Sequence, residues 1–191
     1  MNSLYTAEQV ISFEKSTFVK KGDDLLAMIE AANHSVDELI KAYPKSEFLI
    51  LCGSGNNGGD GYFIGIGLSK LNKRVKFLNV LEKSKKSRLC EYAFEKAKNL
   101  AFIAPSELKN VSIDTVIIDA IFGIGGRIDL SKKIEEILSF CNGFKSKVAI
   151  DVPTGLDSNT GEISKACFNA DKTITFIAVS YTHLTLPTIC S

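Results

Sequence analysis

Neither sign of charge dominates this 191-residue sequence: 23 lysines and arginines stand against 22 aspartates and glutamates, a net charge of +1. That balance supplies no basic footprint for nucleic acid and no acidic tail. Cysteine pairs are missing as well. Cys52, Cys90, Cys141, Cys167 and Cys190 lie far apart with no C-x-x-C spacing, which excludes a disulfide framework and a thiolate metal site. They read as small apolar core residues in a reducing, cytoplasmic setting. The first residues, MNSLYTAEQV, lack the charged and apolar regions of a secretory signal. No apolar run approaches the ~18 residues that a membrane span needs. Histidine is limited to His34, expected on a helix surface, and His183 near the C-terminus, so nothing resembles a Ser/His/Asp or Cys/His catalytic arrangement.

What is present is an alternation of helix and strand patterns in a chain of single-domain length. Residues 6–43 read as helices, with Thr6 near an N-cap and Leu25, Ile29, Val36, Leu39 and Ile40 at helical spacing before Pro44. The strand patterns are SEFLILCGSG, RVKFLNVL, DTVIIDAIFG, SKVAIDVPTG and KTITFIA. Between them lie the helix patterns YFIGIGLSKLN, SRLCEYAFEKAKNL and SKKIEEILSFCNG. Gly65 and Gly67 are expected to let the first of these pack closely on the sheet. Leu89, Tyr92, Ala93 and Ala97 form the apolar positions of the second, and Gly143 caps the third. Strands that are near-continuous runs of Val, Ile, Leu and Phe imply a mostly parallel sheet with helices on both faces. The expected fold is a three-layer, Rossmann-like α/β domain with an N-terminal helical extension.

Ligands of such sheets bind beyond the carboxyl ends of the strands, and three unusual loops fall there. The first is GSGNNGGDG, from Gly53 to Gly61. Gly53, Gly55 and Gly58 match G-x-G-x-x-G, yet no acidic residue closes the next strand, which ends near Asn79, so an ordinary dinucleotide site fits poorly. Asn56, Asn57 and Asp60 add amide donors, a carbonyl acceptor and a carboxylate next to a helix N-terminus that favours anions. The second loop is DAIFGIGGR. Asp119 ends an otherwise apolar run, where a carboxylate needs a partner or a cation. Gly123, Gly125 and Gly126 allow close backbone approach, and Arg127 is a candidate phosphate donor. The third is IDVPTGLDSNTG: Asp151 is the leading general acid/base candidate, Thr154 brings a hydroxyl and a carbonyl to the same edge, and Asp157 caps a turn. The charge run EKSKKSR reads as a solvated loop.

Taken together, these three motifs in this order resemble the NAD(P)HX epimerase family, the YjeF N-terminal domain, over roughly Leu4 to Ala178. The resemblance implies an isomerase that interconverts the R and S epimers of hydrated NADH and NADPH. A dehydratase, separate or fused, then restores the usable cofactor. It implies substrate contacts from Asn56, Asn57, Gly58, Gly59 and Asp60, from Gly123, Ile124, Gly125, Gly126, Arg127, Ile128 and Asp129, and from Asp151. It also implies a potassium ion held by Asn57, Asp119 and Thr154, the last standing where many members carry Ser. Oxygen ligands without Cys or His suit such a hard cation. A homodimer is compatible with the resemblance, and neither nucleic acid nor membrane is an expected partner. Residues 1–178 are expected to form the domain, and 179–191, VSYTHLTLPTICS, to be a read-through tail on a chain cut short. The alternative is a non-catalytic nucleotide- or RNA-associated module of the same fold, which would be expected to lose Asp60, Asp119 and Asp151. A third reading, an NAD-dependent dehydrogenase, lacks its ribose carboxylate.

Overall fold

The computed structural model describes residues 24–125 and 129–175. The helix expected before residue 24, the segment Gly126–Arg127–Ile128 and the tail from residue 179 lie outside the described residues.

Helix α1, Asp24–Ala42, leads into strand β1, Phe48–Cys52, and then helix α2, Asn56–Lys70. Strand β2, Val75–Asn79, helix α3, Arg88–Ala97, and a two-residue strand β3, Ala101–Phe102, follow. A 3₁₀ turn at Pro105–Asn110 precedes β4, Val116–Ala120. Helix α4, Lys132–Cys141, β5, Ser146–Ile150, and β6, Lys172–Ile174, complete the order. The six strands lie in the order β3-β2-β1-β4-β5-β6, and every adjacent pair is parallel. Five strands are legible in the sequence pattern; β3 is the addition.

All five residues of β1 and of β4 are buried, because helices cover both faces of the sheet. Phe48, Ile50, Ile118 and Val148 join Val36, Leu39, Ile64 and Ala93 in one core. Leu49, Leu51, Ile117 and Ala149 join Ile134, Ile137, Leu138 and Phe168 in the other. Each fully buried Val, Leu, Ile or Phe side chain contributes roughly 1.5–3 kcal/mol by leaving water. Helix α4 buries Ile134, Ile137, Leu138 and Cys141, the i, i+3, i+4, i+7 stripe of an amphipathic helix.

Three local expectations are corrected. Gly65 does pack on the sheet, where a Cβ would run into the Phe77 ring, but Gly67 does not: a Cβ there would stand 2.8 Å from Val36 of α1. Its face of α2 meets a helix. Tyr92 is 44% exposed, its ring tilted against Phe63 and beneath Lys96. Gly143 follows the capping residue Asn142 without entering the left-handed region.

The chain order reverses between β1 and β4, which are neighbours in the sheet. The loops leaving their carboxyl ends therefore diverge to opposite faces and open a crevice, the usual ligand position in such sheets.

Candidate active site

Beyond β1 the ladder continues by one bond: the Gly53 amide donates to the Ala120 carbonyl at 3.0 Å. A Cβ on Gly53 would fall on the Ile121 carbonyl oxygen, and one on Gly58 would fall on the Gly53 carbonyl oxygen. These glycines are required by backbone-on-backbone packing. Helix α2 begins at once, so Asn56 to Asp60 form its first turn instead of an open loop. Its N-cap, Gly55, has no side chain to cap the helix, which leaves the first-turn N–H groups directed at the crevice.

The two asparagines part ways. Asn57 is buried, and its Nδ2 donates to the carbonyls of Phe122 at 2.8 Å and Ile150 at 3.2 Å. It thereby ties α2 to the loops after β4 and β5. Its Oδ1 is buried without a hydrogen-bond partner. Asn56 is exposed, and its Oδ1 accepts from the Ser87 hydroxyl at 2.6 Å. Asp60 is half-buried on the same turn.

Asp119, fully buried on β4, is held by one residue across the crevice. Thr154 donates its backbone N–H to Oδ2 at 2.7 Å and its hydroxyl to Oδ1 at 2.8 Å, and the Ile121 amide adds a third bond at 3.1 Å. The Phe122 amide donates to the Thr154 hydroxyl at 3.4 Å, so Phe122 meets Thr154 through its N–H and Asn57 through its carbonyl. The three residues expected to hold a cation are thus joined by hydrogen bonds, Thr154 to Asp119 directly and Asn57 to Thr154 through Phe122. Burial raises the Asp119 carboxyl to about 6, against the lowering effect of the Thr154 and Ile121 bonds.

The sign of that shift gives a prediction. Between about pH 4 and pH 6 the folded carboxyl keeps a proton that the unfolded chain has released, so this group's contribution to stability falls as pH rises through that window and is level above it. In potassium-free buffer the Asp119 carboxyl carbon should titrate near pH 6 by NMR; a midpoint near 4 would contradict the buried, uncompensated state.

Asp151 follows β5 directly. Its backbone is in the left-handed region, φ 69°, one of two non-glycine residues so placed among those described. Asp is one of the few side chains that tolerate this conformation. Its amide donates to the Ile174 carbonyl at 2.8 Å, which pins the strained residue to β6. Its Oδ2 accepts the Ile124 amide at 2.6 Å. A Cβ on Gly123 would run into that oxygen, so glycine here lets the loop close over the carboxylate. Burial raises the Asp151 pKa, opposed by the Ile124 bond. Gly125 also has a left-handed φ, 88°. Asp157 caps its turn as expected, accepting the amides of Asn159 and Thr160 at 2.8 and 2.9 Å.

Asn57, Asp119, Gly123, Ile124, Asp151 and Thr154 are therefore one connected set at the switch point, with Asn56 and Gly58 on the rim helix. Gly126, Arg127 and Ile128 lie outside the described residues. Among the described residues no group of three or more His, Cys, Asp and Glu comes together, so any cation here would be held by amide, hydroxyl and carbonyl oxygens around one carboxylate. The buried, partnerless Asn57 Oδ1 and the buried carboxylate of Asp119 are the oxygen chemistry a hard cation takes.

Residues 25–181 match the family described as YjeF-related protein N-terminus. The chain belongs to this family. Among curated relatives, a protein of Leuconostoc mesenteroides named NAD(P)H-hydrate epimerase is 32% identical over 181 residues, covering 92% of this chain and 80% of the relative. A Weissella koreensis protein of the same name is 30% identical over 179 residues, with coverage of 92% and 81%. Among solved structures, the crystal structure of yeast ynu0 superposes with a TM-score of 0.75 at 20% identity, covering 90% of this chain and 79% of that one; at that identity the likeness speaks for the fold.

Sequence reasoning missed Phe122 and Ile150, which act through main-chain carbonyls and leave no side-chain signal, and Ser87. Ser87 does have a signal, a serine just ahead of an amphipathic helix, but its partner Asn56 is 31 positions away.

Proposed function

We propose that this chain is an NAD(P)H-hydrate epimerase, interconverting the R and S epimers of hydrated NADH and NADPH. The named relatives support the reaction. The observation that carries it in the chain's own geometry is Asp151, a carboxylate of raised pKa held at the mouth of the switch-point crevice between Ile124 and β6.

Epimerisation at a hydrated carbon needs a group that gives and takes a proton. A carboxyl shifted up from its usual range populates both forms nearer neutrality than an exposed aspartate does. Asp151 fills that role, whether the ring opens and recloses or water leaves and returns. The first turn of α2, from Asn56 to Asp60, and the loop from Gly123 to Asp129 supply the nucleotide contacts, with uncapped N–H groups suited to phosphate oxygens. A potassium ion is held by Asn57, Asp119 and Thr154; when bound it offsets the buried Asp119 charge and firms the crevice wall. The functional partner is a dehydratase specific for the S epimer, and the setting is cytoplasmic. Among the described residues no helix is long and apolar enough to cross a membrane. A homodimer is consistent with this reading.

The test is regeneration of NADH from the R epimer by an excess of S-specific dehydratase, followed by absorbance, with and without this chain. Acceleration only in its presence supports the activity; a rate equal to spontaneous epimerisation rejects it in favour of a binding module. The ion site is tested separately by melting in potassium and in sodium at equal ionic strength. A tenfold excess over Kd should raise Tm by about 3–5 °C in potassium, and Asn57→Ala should remove that difference. Equal melting in both salts would count against the site.

A further inference from the structure

We infer that Ser87 is a positioning residue for substrate recognition, acting through Asn56. This rests on the reading that the first turn of α2 contacts the nucleotide.

Ser87 is the N-cap of α3, its side chain accepting the Cys90 amide at 3.2 Å. That bond uses a lone pair and leaves the hydroxyl proton free to donate. It donates to Asn56 Oδ1, and the 2.6 Å separation is that of an O–H···O bond, shorter than the usual N–H···O contact. The amide is thereby oriented with its carbonyl toward α3, and the Nδ2 donor is the end left for a ligand. Ser87 is anchored independently of this bond, because its own amide donates to the Ser54 carbonyl at 2.8 Å. Cys90, one turn on, directs its thiol to the Gly53 carbonyl at 3.6 Å. The start of α3 therefore clamps the β1–α2 turn at Gly53, Ser54 and Asn56.

The consequence is a stated polarity. Asn56 recognises a hydrogen-bond acceptor, such as a phosphate or ribose oxygen, and not a donor. Without the Ser87 hydroxyl the exposed amide rotates freely and half of its orientations present the wrong end. The cost falls on binding, since Asn56 is exposed and bonded to Ser87 and shares no bond with Asp151 or with Ile124 and Ile174, which hold it.

The experiment compares Ser87→Gly, Ser87→Thr, Asn56→Ala and the double variant Asn56→Ala/Ser87→Gly in the coupled epimerase assay, with melting curves for each. Glycine is a tolerated N-cap, so Ser87→Gly removes the hydroxyl while leaving α3 nearly as stable. The expected result is a KM raised about three- to tenfold, the range one ordinary hydrogen bond supplies, with kcat within about twofold. Ser87→Thr restores the parental KM. In the Asn56→Ala background, Ser87→Gly adds nothing further. A parental KM for Ser87→Gly, or an increase that adds fully to that of Asn56→Ala, overturns the inference while leaving the nucleotide site intact. A parental KM for Asn56→Ala overturns the placement of Asn56 in that site, and the inference with it.

Discussion

Asp151→Asn is expected to lower kcat of the epimerase reaction by about 10²–10⁴-fold while the protein melts at or above the parental temperature. The separation of the two effects follows from the geometry. Asn is the other side chain that readily adopts a left-handed backbone, so φ 69° is retained. Its carbonyl oxygen can still accept the Ile124 amide that now reaches Oδ2. Burial disfavours the charged form of Asp151, so a neutral amide relieves a cost that the folded state carries at neutral pH. What the amide cannot do is exchange a proton with the substrate. Matched measurements of kcat, nucleotide binding and Tm check this; parental kcat would remove Asp151 from the reaction. Asp151→Ala is a poorer probe, because it loses activity and adds backbone strain.

The second large effect is on the fold itself. Gly53→Ala should cost on the order of 3 kcal/mol, lowering Tm by about 6–12 °C, because the new methyl meets main chain that cannot turn aside. The atom in its way is the Ile121 carbonyl oxygen, one residue past β4. Neither backbone can retreat: Gly53 is bonded to Ala120 beside it, and Ile121 donates to Asp119. A shift large enough to admit the methyl would spread the β1 and β4 loops and disturb Asn57, whose two donor bonds cross that gap. Calorimetry or a thermal melt by circular dichroism decides it; a Tm within about 2 °C of the parent would mean the loop is softer than its hydrogen bonds imply.

The layout of the fold was legible because a strand buried on both faces writes its environment into consecutive residues: FLILC and VIIDA have no other home. The same rule made Asp119 visible, as a carboxylate in a place where only apolar residues are at ease. Local signals failed where the outcome depends on a distant neighbour. Ala101–Phe102 is too short to show a period and exists as a strand only because β2 offers it an edge. Gly67 and Gly65 are the same residue type two positions apart, yet one meets α1 and the other Phe77. The conformation of Asp151 has no sequence mark, since Ile174 enforces it from another strand. Asn57 was marked as polar and unusual, but its grip on Phe122 and Ile150 belongs to the tertiary structure.

That grip has a kinetic meaning. The two carbonyls held by Asn57 lie 65 and 93 positions along the chain. Neither bond can form until the crossovers that bring β4 beside β1 and then β5 beside β4 have closed, and non-local closures of that span are slow steps in folding. The crevice is consequently among the last parts to assemble, and recovery of ligand binding after dilution from denaturant should lag behind recovery of helix signal. A nascent or partly refolded chain would hold much of its secondary structure with no working site at all.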